Sequence, residues 1–298
     1  DIDIEGGAVV AGDALTLLAG RDLRVTSTTQ SQANAQGQRT NLDRVAGLYV
    51  TGEAGLLLAS AGQDISLTGA ELVSRGDALL QAGRDLNLDT VREAARQRLT
   101  YDARNARSDH QSQDIGSTLL TGGKLTLLAG HDVTARAAQV EAGQALTVAA
   151  GNDIRLTAGE AALGLDEAHQ HTSKGSFSRT TRTTRDTLEQ TTAIASSLGG
   201  ETVLIQAGRD LTLTGSNAVA DADIALIAGR DLTLEAATET YTETHFKDKK
   251  KSGFSASLTT GLSYGKSSLK EDGESTTATA VGSQIGGNDV LLSAGRDA

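Results

Sequence analysis

The chain contains no cysteine and no proline, and aromatic residues make up only 2% of its 298 positions. Without cysteine there is no disulfide framework and no thiol nucleophile, although an oxidising compartment does not oblige a protein to use cysteine. Without proline, every residue keeps the backbone N–H that a β ladder needs. Four tyrosines, three phenylalanines and no tryptophan suit a narrow interior filled by stacked aliphatic side chains. No apolar run approaches the roughly 18 residues that a membrane-spanning helix requires. The formal net charge of −11 argues against a nucleic-acid partner.

What the chain has in quantity is glycine, 34 residues, and a repeated corner. Ala-Gly-x-Asp occurs eight times, at Ala19, Ala61, Ala82, Ala129, Ala150, Ala207, Ala228 and Ala294. Three neighbouring pairs, Gly62/Gly83, Gly130/Gly151 and Gly208/Gly229, lie 21 residues apart. A fixed period of this size marks stacked structural repeats. Apolar residues alternate with polar ones on both sides of each corner, as in Leu211-Thr212-Leu213, which is the period of a strand with one buried face. A second glycine often stands eight residues earlier (Gly12, Gly122, Gly143, Gly200, Gly287). The expected fold is an all-β, right-handed parallel β-helix of ~21-residue coils spaced at roughly 4.8 Å. The corner glycines are expected to exploit positive φ, and the corner aspartates to accept hydrogen bonds from backbone N–H groups just after them. Leu211, Leu213, Leu232 and Leu234 should be buried.

The period breaks four times, near 26–48, 90–116, 162–199 and 236–284, in segments rich in Thr, Ser and Gln. They are either disordered loops or β-hairpins extruded from one side of the solenoid. Threonine's strand preference favours hairpins, as does Lys251-Ser252-Gly253, a turn-like element between Tyr241–Phe246 and Phe254–Leu258. The whole of 1–298 then forms one β-helical region. It opens in mid-pattern at Asp1 and stops inside a repeat at Ala298, so it is read as a fragment of a longer polypeptide. From Phe254 to Gly265 apolar and small polar residues alternate, with aromatics near both ends. That is the pattern of a transmembrane β-strand or, more simply, of a half-buried strand lying against the solenoid. Lys247-Asp248-Lys249-Lys250-Lys251 would be a basic hairpin tip, either solvated or touching anionic lipid or lipopolysaccharide. The residues singled out for membrane or partner contact are Lys249, Lys250, Lys251, Phe254, Leu258, Leu262 and Tyr264.

No constellation calls for catalysis, a cofactor or a metal. Ser263-Tyr264-Gly265-Lys266 fits the S-x-x-K pattern of serine acyl enzymes, but the partner motifs S-D-N and K-T-G are missing. Gly261–Ser267 is one residue short of a phosphate loop. His169 and His171 share one strand face, which is half a zinc site at most. The column of corner aspartates lacks the glycine-rich nonapeptide of calcium-binding β-rolls. Arg75-Gly76-Asp77 coincides with a coil corner, which accounts for it.

Gly122–Val133 (GGKLTLLAGHDV) and Val203–Ser216 (VLIQAGRDLTLTGS) carry a resemblance that extends over nearly the whole chain. Both resemble the haemagglutinin repeats of filamentous haemagglutinins and of CdiA-type contact-dependent growth inhibition effectors. The Ser/Thr-rich interruptions, including 251–254, look more like the second haemagglutinin-repeat region of the effectors than like an uninterrupted shaft. The resemblance implies a parent protein exported through an outer-membrane two-partner secretion transporter. It also implies residence on the surface of a Gram-negative cell or secretion from it, partly periplasmic before delivery. The segment would be a structural and delivery part of a toxin effector, not an enzyme, and would meet the target cell's outer membrane or a surface receptor. The alternative is the shaft of an adhesin that binds host cells.

Overall fold

The computed structural model describes residues 1–257 and 261–296, and its regular elements there are strands throughout. Eight coils each place one strand in each of three eight-stranded parallel sheets. One coil runs Leu211–Thr214, Asn217–Ala220, Asp223–Ala228. The next lies on it with Leu211 opposite Leu232, and the coil before lies under it with Ile205 opposite Leu226, so that 21 residues separate these stacked neighbours. Parallel strands joined this way wind in the right-handed sense, giving a right-handed parallel β-helix.

Period-2 alternation turns one side of every strand inward, and stacking converts those positions into ladders. Leu57, Ala78, Leu125, Leu146, Val203 and Ile224 form one continuous buried column. The corner alanines Ala61, Ala82, Ala129, Ala150, Ala207 and Ala228 form another. Each fully buried leucine stabilises the fold by about 2 kcal/mol relative to exposure. Leu211, Leu213 and Leu232 are buried as expected, whereas Leu234 is 44% exposed. Its strand is the last of its sheet among the described residues.

The corner glycines work differently from the expectation. Among the described residues, positive φ is confined to Gly6, Gly69, Gly215, Gly261 and Ala137, none of them an Ala-Gly-x-Asp glycine. The corner glycine is required by backbone approach instead: a Cβ on Gly83 would stand 2.2 Å from the Gly62 carbonyl oxygen, and one on Gly208 2.0 Å from that of Gly151. Gly76 of the Arg-Gly-Asp triplet is held the same way against Gly55, and Asp77 beside it accepts the Lys124 N–H at 2.8 Å.

The corner aspartates also depart from local capping. The carboxylate of one corner aspartate accepts the backbone N–H of the aspartate one coil further on: Asp64 accepts the Asp85 N–H at 3.3 Å, Asp85 the Asp132 N–H at 3.2 Å, and Asp132 the Asp153 N–H at 3.1 Å. Stacking brings the acceptor closer to the next coil than to the residues that follow it.

The four interruptions are hairpins: Thr28–Asn34 with Gly37–Arg44, Val91–Asp102 with Asn105–Ile115, Gly159–Lys174 with Ser178–Ile194, and Ala237–Ser257 with Gly261–Val281. They do not stand separately. They pair edge to edge in chain order as one eight-stranded antiparallel sheet beside the solenoid. All leave from the corner between the first and second parallel sheets, in every second coil. In the coils without a hairpin that corner is turned by Gly6, Gly69, Ala137 or Gly215 at positive φ. The alternation has a metric reason. Two strands at ~4.8 Å occupy the same rise as two coils at ~4.8 Å, so successive hairpins arrive in pairing register.

Two buried serines, Ser117 and Ser196, and the half-buried Ser283 close the solenoid beneath the hairpins. Ser117 Oγ donates to the Leu67 carbonyl at 2.9 Å and accepts the Ala70 N–H at 3.1 Å. Ser196 does the same for Thr157 and Ala138, and Ser283 for Leu213 and Ser216.

Candidate interaction surface

The hairpins lengthen along the chain, from strands of 7 and 8 residues in the first to 21 and 21 in the fourth. The fourth therefore overhangs the third. The last residue pair that joins them is Ser178 with Gly253, and beyond it the fourth hairpin projects as a two-stranded ribbon.

This placement corrects two sequence expectations. Lys251-Ser252-Gly253 is not a turn: it lies inside the strand Ala237–Ser257, with Gly253 paired to Gly265. Lys247–Lys251 is accordingly a stretch along a strand and not a tip. Phe254–Gly265 is likewise not one strand: Ser257, at the end of Ala237–Ser257, pairs antiparallel with Gly261, the first residue of Gly261–Val281, which has φ +70°. That left-handed conformation is nearly free for glycine, whereas Ser252-Gly253 meets no such demand inside a ladder.

This pairing keeps the alternation in phase. Phe254, Leu262 and Tyr264 fall on one face, and the Phe254 and Tyr264 rings lie 4.9 Å apart at 53°. Lys250 shares that face, while Lys249 and Lys251 point to the other. Leu258 lies outside the described residues. Pairing adds groups that sequence spacing did not disclose. Arg179 and Lys174, directly opposite each other on the third hairpin, and Lys266 on the fourth share the face of Lys250. Phe177 stands at the third hairpin's turn, 73% exposed, with its carbonyl accepting the Phe254 N–H at 2.9 Å.

Arg179, Lys250 and Lys266 line a shallow groove of roughly 400 Å³ floored by Thr181, Ser252 and Ser268. Lys250 is 3.0 Å from Asp248. Among the described residues no carboxylate lies within 4.0 Å of Lys174, Arg179 or Lys266. Like charges directly opposite on neighbouring strands cost stability, so this end of the sheet concentrates positive charge against its own folding interest, on a chain that is acidic overall. Phe254, Leu262 and Tyr264 are all more than half exposed, and Lys266 Nζ sits 5.8 Å from the Tyr264 ring centre. Nearer the solenoid the same two hairpins are tied by His245. Its Nδ1 lies 2.9 Å from Asp186 and its Nε2 2.6 Å from Glu243, and hydrogen bonding to Asp186, then to Glu243, raises its pKa above the usual histidine range.

The acyl-enzyme pattern does not survive the geometry. Three residues apart on one strand, Ser263 and Lys266 face opposite sides of the sheet, and the Ser263 hydroxyl pairs with that of Ser255 at 2.8 Å.

A family profile described as "Hemagglutinin repeat" matches residues 99–184 and 175–298, more than half of the chain. The chain belongs to the hemagglutinin-repeat family. The boundary between the two matches falls at the tip of the third hairpin, so the matched units run from near one hairpin tip to just beyond another or to the end of the chain. Three relatives illustrate the likeness. The tRNA nuclease CdiA of Escherichia coli (strain STEC_O31) is 31% identical over 307 residues, covering 100% of this chain and 9% of that protein. The deoxyribonuclease CdiA of Dickeya dadantii is 35% identical over 301 residues, 97% of this chain and 8% of that protein. The 16S rRNA endonuclease CdiA of Enterobacter cloacae is 34% identical over 217 residues, 70% and 6%. No solved structure matches. The hemagglutinin-repeat chain thus spans about a tenth or less of the curated relatives it matches. It is a structural β-helix, and the nuclease activities in those names belong to the relatives as wholes.

Proposed function

We propose that this hemagglutinin-repeat segment is a structural and delivery part of a secreted CdiA-type contact-dependent growth inhibition effector, whose lateral sheet presents its tip to the target cell's outer membrane. The parent protein is exported through an outer-membrane two-partner secretion transporter and works at the Gram-negative cell surface, passing through the periplasm before delivery. The three relatives described above carry CdiA names and align across 70–100% of the chain, which supports the effector reading over an adhesin shaft. The observation that carries the membrane contact is the tip itself. Unpaired Lys174, Arg179 and Lys266 lie beside exposed Phe254, Leu262 and Tyr264 at the far end of an otherwise acidic molecule. Cations draw the tip to anionic headgroups, and rings settle at the headgroup boundary.

Co-sedimentation with outer-membrane vesicles tests it, with phosphatidylcholine vesicles as the neutral control. The wild-type chain should bind outer-membrane vesicles in a salt-sensitive manner. The R179E/K250E/K266E variant should lose at least about tenfold in affinity, with unchanged circular dichroism. Equal binding by both proteins, or none by the wild type, overturns the reading.

A further inference from the structure

The Ala-Gly-x-Asp corners stack an arginine of one coil on an aspartate of the coil before. Arg21 meets Asp1, Arg84 meets Asp64, Arg230 meets Asp210 and Arg296 meets Asp231, each through Nε and Nη2 together. At one corner the fork is replaced by an imidazole. His131 occupies the stacked position above Arg84 and faces Asp85 of the coil before and Asp132 beside it.

The imidazole contacts are longer than the Nε contacts of the arginine forks with the coil before. His131 Nδ1 lies 3.3 Å from Asp85 Oδ1 and 3.3 Å from Asp132 Oδ2. Both distances exceed the roughly 2.7–2.9 Å of a charge-assisted hydrogen bond. They match the separation of about 3.3–3.4 Å between two donors held tetrahedrally on a metal at about 2.0–2.1 Å. The three ligand atoms all lie within 4.8 Å of one another.

The carboxylates are also short of cations here. The corner above carries Asn152 where other coils carry arginine, so no guanidinium descends on Asp132. Among the described corner aspartates, Asp132 is the one with no arginine or lysine within 4.0 Å. Its Oδ1 accepts the Asp153 N–H at 3.1 Å, which turns Oδ2 toward the imidazole. Arg84 Nε lies 3.2 Å from Asp85 Oδ2, but the fork of Arg84 is engaged with Asp64 one coil below, and Oδ1 is the Asp85 oxygen that faces His131.

We infer that Asp85, His131 and Asp132 form a surface site for a borderline divalent cation of the Zn²⁺ class, which clips two adjacent coils where the arginine fork is missing. One imidazole nitrogen and two carboxylate oxygens from two coils leave room for water at the remaining position. The imidazole nitrogen and the small number of carboxylate oxygens favour such a cation over a hard one such as Ca²⁺, which takes six to eight oxygen ligands. The site is independent of the hairpin tip and of the membrane reading.

Titration calorimetry of the intact chain with Zn²⁺, and separately with Ca²⁺, tests the inference. His131→Arg is the informative variant, because arginine serves this stacked position at other corners and the fold should keep its stability. Wild type should bind Zn²⁺ but not Ca²⁺ and gain thermal stability on binding. His131→Arg and Asp132→Asn should each lose at least about tenfold in Zn²⁺ affinity and the accompanying stabilisation. Two results overturn the proposal: no Zn²⁺ binding by wild type at micromolar metal, or an unchanged isotherm in His131→Arg, which would move any binding to the hairpin histidines His169, His171 and His245.

Discussion

Arg21 donates from Nε and Nη2 to the two carboxylate oxygens of Asp1, at 3.2 and 2.8 Å, one coil away and 20 residues earlier in the sequence. The same fork recurs at Arg84, Arg230 and Arg296. The residue between the corner glycine and aspartate therefore sets how one coil is pinned to the coil before.

Acid should loosen these pins. The forks of Arg84 and Arg230 hold Asp64 and Asp210 below the usual carboxylate range. A depressed folded pKa adds stability that is present above the unfolded pKa and is lost as pH falls through the folded one. Melting temperature should therefore drop as pH falls below about 4, and less steeply in the Asp64→Asn/Asp210→Asn variant. Parallel wild-type and variant curves across that range would show that the forks are energetically silent.

One motif should give two outcomes. Gly83→Ala puts a methyl 2.2 Å from the Gly62 carbonyl oxygen and should cost about 3 kcal/mol by forcing the coils apart. Gly20 holds the same place in the first described coil, where a Cβ meets nothing within 4 Å in the 1–298 segment. Gly20→Ala should change stability by no more than about 0.5 kcal/mol. Urea denaturation of both decides it, and equal costs would return the glycines to a conformational role.

Ser117→Ala removes the hydroxyl that serves the Leu67 carbonyl and the Ala70 N–H at a fully buried site. Stranding those groups should cost about 1–3 kcal/mol. Hydrogen exchange should localise the loss to the base of the second hairpin, with the amide of Ala70 exchanging faster. An unchanged Ala70 rate would show that the serine is dispensable.

Leu213→Asp should cost several kcal/mol, because it buries a charge with no partner at a position of 0% exposure. Leu234→Asp one coil further on lies at a 44% exposed site and should be tolerated to within about 1 kcal/mol. Comparable destabilisation by the two would mean that the last coil is covered in solution.

The solenoid is legible in the sequence. Alternation in Leu211-Thr212-Leu213 and the 21-residue spacing of Gly208 and Gly229 both express nearest-neighbour geometry: a strand's period and one coil's circumference. The 44% exposure of Leu234 is not legible there, because it depends on which strands stack on it and not on the residue. The role of the corner glycines escapes the motif for a related reason. Composition shows that glycine is present, but the 2.2 Å approach of Gly83 to Gly62 exists only once coils stack. At the tip, the alternation of Phe254, Leu262 and Tyr264 is visible in the sequence and the fold keeps its phase. Lys174, Phe177 and Arg179 are not visible as partners, since about 75 residues separate Arg179 from Phe254 along the chain.

By itself the sequence determined the rod: which side chains face inward, where the coils turn, and at which corner the hairpins leave. Those are local matters, decided by period and by residues within one coil. Only the tertiary structure decided that four separate hairpins become one sheet, that its outermost ribbon gathers unpaired cations beside exposed rings, and that one imidazole faces two carboxylates. The reason is the common ~4.8 Å repeat of coils and strands. It stacks residues that lie tens of positions apart into contact, and no periodicity within a single segment records which of them will meet.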